Sequence, residues 1–87
     1  MAIPDTHLIA VFLSTHETLR AERHFKEHRI KVKATVKPRS ITSNCQMAIT
    51  FAPDDRGRIE AVVAEEGLDL TGIYRKELDS GDWVAAP

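Results

Sequence analysis

Hydrophobic and polar positions divide the chain into six short segments separated by turn residues. Leu8-Ile9-Ala10-Val11-Phe12-Leu13 is apolar at every position, the pattern of a central strand covered on both faces. Ser14, with Glu17 three residues later, matches a capping box, in which each side chain satisfies a free backbone N–H. A helix is therefore expected from about Thr15 to about His28. Thr18, Ala21 and Phe25 would share its inner face, and Glu22 with Lys26 and Arg23 with Glu27 would pair four residues apart.

Ile30 to Val36 alternates, with Val32, Ala34 and Val36 on one side and Lys31, Lys33 and Thr35 on the other. That is a half-exposed strand at a sheet edge, where lysines discourage pairing with another chain. Lys37 to Asn44 is a loop marked by Pro38 and by Ser and Thr. A third strand follows, with Met47, Ile49 and Phe51 alternating against Gln46, Ala48 and Thr50. Pro53-Asp54-Asp55 starts a second helix, Ile59, Val62 and Val63 give its apolar stripe, and Gly67 stops it. Leu68 to Tyr74 is a fourth strand with Leu68, Leu70, Gly72 and Tyr74 on one face. Residues 77–87 form a tail that carries Trp83, and residues 1–76 form one domain.

Strand, helix, strand, strand, helix, strand predicts an α+β fold, a ferredoxin-like βαββαβ two-layer sandwich. Its four-stranded antiparallel sheet would carry both helices on one face. The all-apolar first strand then leaves a second face that needs a cover. Either a second copy of the chain or the tail with Trp83 would supply it, and a homodimer is the expected assembly.

Composition narrows the function classes. With 87 residues the core is thin, and 43% apolar content is that of a globular domain. Twelve basic and thirteen acidic residues give a net charge of -1, which argues against bulk capture of nucleic acid or membrane. Lys31, Lys33, Lys37 and Arg39 form a local basic cluster, but Phe12 and Phe51 are the only aromatics on the first and third strands and no RNP1 signature is present. No nucleic-acid partner is expected. Met1 to Asp5 has no basic leader, and the six-residue apolar run from Leu8 is too short to span a membrane. Together with a lone thiol, this makes the cytoplasm the expected compartment.

Candidate chemistry is sparse. His24 and His28 lie four apart on the first helix, but a zinc site needs a third ligand and no HExxH pattern exists, so no metal is assigned. Phosphate-binding glycine loops and catalytic triads are absent, and no cofactor is expected. Cys45 is the single cysteine. Lys37 and Arg39 precede it, and Ser40, Thr42 and Ser43 offer hydroxyls, a setting that can favour the nucleophilic thiolate. A small inert strand residue is the other reading of Cys45. His16 is not paired with it, on the expectation that antiparallel pairing puts the end of the first strand and the start of the third at opposite ends.

Leu13-Ser14-Thr15-His16-Glu17-Thr18-Leu19 resembles the opening of a small bacterial family of selenium/sulfur carrier-like proteins. Pro38-Arg39-Ser40-Ile41-Thr42-Ser43-Asn44-Cys45-Gln46-Met47-Ala48 resembles its second signature, Pro-Arg and a polar run ending in Ser-Ser-Cys-Gly. Gly67 to Tyr74 is similar to its closing strand. Asn44 stands where that family has serine, and Gln46 where it has glycine. The resemblance implies a sulfur or selenium carrier that holds a persulfide-type adduct on Cys45. Arg39 and Lys37 would steady the thiolate and Ser43 would donate a hydrogen bond. Its partners would be donor and acceptor proteins, and it would not act as a stand-alone enzyme. A homodimeric interaction or small-molecule-sensing module without catalysis is the alternative. An exposed Cys45 beside Arg39 would favour the carrier; a buried one would favour the module.

Overall fold

The computed structural model describes residues 7–41, 43 and 45–86. Strand β1 (Leu8–Phe12) is followed by helix α1 (Thr15–Glu27), β2 (Val32–Val36) and β3 (Met47–Phe51). A single 3-10 turn at Pro53–Asp55 leads into α2 (Arg56–Glu66), and β4 (Leu70–Lys76) and β5 (Trp83–Ala85) follow. The fold is α+β with an antiparallel sheet, but the sheet has five strands and not four, in the order β2-β3-β1-β4-β5. The extra strand comes from the segment that sequence pattern assigned to a tail. Trp83-Val84-Ala85 is too short to show a period, yet it pairs with β4 from Tyr74 to Lys76. Ala86 continues the attachment by donating its N–H to the Ile73 carbonyl at 2.8 Å.

Alternation along β1 separates two apolar layers. Leu8, Ala10 and Phe12 face both helices, packing with Ala21 and Phe25 of α1 and Ile59 and Val62 of α2. Burying a side chain the size of Phe25 supplies about 1.5–3 kcal/mol, and Phe25 is the one large apolar side chain on the buried face of α1, beside Thr18 and Ala21. Ile9 and Val11 face the opposite way and meet Ile41, Ala48, Tyr74 and Trp83. The second face therefore has a cover from the chain itself. Ile41 of the 37–46 connection lies in that layer, and the partly buried side chains of Tyr74 and of Trp83, from β5 of the same sheet, pack against it.

Local signals explain most boundaries. Ser14 caps α1 by accepting from the Glu17 N–H at 3.1 Å. The carboxylate of Glu17 is engaged outside the expected box, where Oε2 accepts from the Asp69 N–H at 3.0 Å and ties α1 to the approach of β4. Glu22 and Lys26 pair at 3.4 Å as the spacing predicts. Glu27 meets His24 at 3.4 Å, and the same ring lies 3.1 Å from Glu66 across to α2. Gly67 ends α2 at φ 62°, a left-handed conformation that costs glycine little, and its N–H returns to the Val63 carbonyl.

Two details depart from simple alternation. Val36 is 77% exposed at the end of edge strand β2, although period two would turn it inward with Val32. The expected common face of Leu68, Leu70, Gly72 and Tyr74 is split by a bulge. Val11 pairs with Gly72 while Phe12 pairs with Leu70, so Thr71 is extra. Leu68 and Leu70 thus remain on the helix side, and Tyr74 moves to the layer with Trp83. The Thr71 hydroxyl donates to the Val11 carbonyl at 2.9 Å, within the bulge.

Candidate functional site

Register decides which groups reach the thiol. β1 and β3 run antiparallel, with Leu8 opposite Phe51 and Ala10 opposite Ile49. The end of β1 therefore neighbours the start of β3, not its far end, and the earlier geometric expectation is corrected. The first turn of α1 and Cys45 come together at that corner. Thr15 and Thr18, not His16, make the approach.

The Cys45 sulfur sits in a polar nest. Thr18 Oγ1 is 3.3 Å from Sγ, and Thr15 Oγ1 is 4.0 Å away. The Met47 N–H donates to Sγ at 3.4 Å, and the thiol can donate to the Met47 carbonyl at 3.3 Å. Thr18 is 0% exposed, and its hydroxyl also lies 2.9 Å from the Ser14 carbonyl, to which it can donate. That carbonyl also accepts the Thr18 N–H, so it stays satisfied if the hydroxyl turns toward sulfur. Cys45 is only 1% exposed and belongs to neither apolar layer. Thr15, the group nearest to solvent in this nest, is exposed, so the sulfur lies one side chain below the surface.

The three flanking residues singled out from sequence lie apart in role. Ser43 Oγ accepts from the Cys45 N–H at 3.1 Å and so holds the backbone of Cys45. The Lys37 ammonium donates to the carbonyls of Ile41 and Pro38, bracing the connection. Arg39 lies in the turn after Pro38 and is exposed. Thr42 and Asn44, also named in the sequence argument, lie outside the described residues, as do Met1 to Asp5.

Sequence reasoning missed Thr15, Thr18 and the Met47 backbone. One signal was available: Thr18 is the polar member of the inner stripe Thr18-Ala21-Phe25. A buried hydroxyl needs a partner, and this one has the thiol. Among the described residues no cluster of three His, Cys, Asp or Glu side chains is placed to hold a metal. No helix among them is long and apolar enough to cross a membrane.

An antiparallel α+β domain with its single thiol held at the first turn of a helix is the class this geometry defines. Residues 7–75 match the family described as "Putative Se/S carrier protein-like", and the chain belongs to that family. Neither a curated protein nor a solved structure matches it.

Proposed function

We propose that the chain carries sulfur or selenium between donor and acceptor proteins as a persulfide-type adduct on Cys45. The observation that carries this reading is the polar nest around a thiol that both apolar layers exclude. Family membership points the same way. In the loading step the Cys45 thiolate attacks the outer sulfur of a donor persulfide, R–S–SH. A new S–S bond forms, the donor S–S bond breaks, and R–S⁻ leaves with its electron pair. The proton stays on the transferred sulfur, giving Cys45–S–SH. Unloading is the same exchange onto an acceptor thiolate.

Burial sets a condition on that chemistry. A sulfur only 1% exposed meets a donor only when it moves outward past Thr15. Thr18 and the Met47 carbonyl hold the resting thiol, Ser43 and Lys37 hold the connection that bears it, and the exposed Arg39 adds a positive charge to that connection. We read the β2-β3-β1-β4 order with both helices on one layer as a ferredoxin-like sandwich extended by β5, working in the reducing cytoplasm. Intact mass after incubation with a persulfide donor tests the function. Wild type should gain one sulfur that a reductant removes, and Cys45→Ala should gain none.

The burial of Cys45 also favours the second reading, a non-catalytic interaction or sensing module. Its outcome in the same experiment is a wild-type mass unchanged by the donor.

A further inference from the structure

The solvent face of α1 carries a feature that neither helix packing nor the thiol nest uses. Leu19 is 50% exposed and lies one turn after Thr15, on the row of side chains that begins beside Cys45. Together with His16, Arg20 and Arg23 it lines a shallow cleft of about 240 Å³. Leu13, which precedes the cap residue Ser14, is 57% exposed. At that position an apolar residue often packs back onto its helix as a staple. The residue it would meet is Thr18, whose hydroxyl faces the sulfur, so Leu13 stays outside.

The helix balances three acidic residues against three Arg and Lys residues, but the cleft itself is lined by His16, Arg20 and Arg23 and by no acidic side chain. The acidic groups of α1 have contacts within the chain, Glu17 with the Asp69 N–H and Arg20, Glu22 with Lys26, and Glu27 with the His24 ring. Among the described residues Arg23 has no ion-pair partner, and it is exposed. Arg39, on the connection that leads to Cys45, is exposed as well. The cleft thus sets the unpaired guanidinium of Arg23 in the same lining as the exposed Leu19, one turn from the Thr15 that neighbours the thiol.

We infer that this face of α1 docks an acidic peptide segment of the sulfur-exchanging partner, with an apolar partner residue on Leu19 and a carboxylate against Arg23. The inference rests on the carrier reading for its biological sense, but the contact itself does not involve the thiol. A partner bound there sets its own reactive sulfur next to Thr15, on the path by which Cys45 becomes accessible. Complementary charge also raises the encounter rate and excludes basic partners.

Two fluorescent peptides of equal length test the inference, one with glutamates flanking a leucine and one with lysines flanking it, both free of cysteine. Anisotropy titrations against Cys45→Ala protein should show the acidic peptide binding roughly five- to tenfold more tightly, as one or two exposed ion pairs allow, with the margin shrinking in high salt. Arg23→Glu should reverse the preference, and Leu19→Gln should weaken the acidic peptide several-fold. Equal binding of the two peptides, or a preference that survives Arg23→Glu, overturns the docking surface. Because the titration uses protein without the thiol, its failure is distinct from a failure of sulfur loading, which the mass of the wild-type chain reports.

Discussion

Replacing Thr18 with valine separates holding the thiol from helping it react. Thr18 and valine have nearly the same shape, and the site is fully buried, so the change deletes one hydroxyl and little else. The Ser14 carbonyl keeps its bond from the Thr18 N–H, so no buried acceptor is orphaned there. The lost interactions are the 3.3 Å contact with sulfur and the 2.9 Å bond from the hydroxyl to the Ser14 carbonyl, each with a net value of about 0.5–1.5 kcal/mol. Valine returns up to about 0.8 kcal/mol through its extra buried methyl, so global stability should fall by roughly 0–2 kcal/mol. The resting position of Cys45 loses the hydrogen bond without that compensation, because the methyl does not restrain sulfur. Outward movement should then become easier, and alkylation of Cys45 at neutral pH should accelerate roughly twofold to tenfold. Thr18→Ser keeps the hydroxyl and loses a methyl, so it should cost about 1 kcal/mol of stability and leave alkylation near wild type. Stopped-flow or mass-based alkylation, paired with urea denaturation, reads both quantities. Slower alkylation in Thr18→Val would refute the reasoning. It would mean that the hydroxyl assists the reacting thiolate and that Cys45 reacts without leaving the nest.

Further outcomes follow from other contacts. Arg39→Ala should slow Cys45 alkylation by removing an exposed positive charge, and the loss should shrink in high salt; equal rates at low salt would remove Arg39 from the site. Ile41→Ala should destabilise the fold by about 2–4 kcal/mol and speed alkylation, because Ile41 anchors the connection bearing Cys45 to the second apolar layer; chemical denaturation and alkylation measure the two effects. The bond from the Asp69 N–H, with the Arg20 guanidinium, holds the Glu17 carboxyl below its ordinary value of 4.5. Its stabilising contribution is full above about pH 4.5 and lost as pH falls through the lowered value, so Glu17→Gln should flatten the acid limb of a stability–pH curve. Trp83 emission should be blue-shifted in the native chain and independent of concentration; a shift that grows with concentration would place the cover between subunits.

The parts of the fold legible in the sequence are those in which local chemistry and tertiary packing agree. Ser14, Pro53 and Gly67 mark helix ends by backbone rules that need no distant partner. β1 could be read as central because an all-apolar strand has no polar face to give to water. The bulge at Thr71 was illegible because it depends on how β4 registers against β1 from sixty residues away in sequence, with Thr71 donating to Val11. β5 was missed because three residues carry no usable period. At the site, Cys45 stood out as the single cysteine, while its partners Thr15 and Thr18 depend on strand register. Lys37 shows the limit of nearness in sequence: its ammonium serves the Ile41 and Pro38 carbonyls.

The central place of β1 also shapes how the chain must fold. Its two neighbours, β3 and β4, are both encoded later, so Leu8–Phe12 emerges during synthesis before any strand that can shield it. Loop closure over most of the domain must come first, which favours slow, late assembly and leaves a fully apolar segment open to capture in the meantime. Mutations that weaken β4 should therefore show up in a cell as chaperone dependence and loss of yield before they show up in the behaviour of the finished protein.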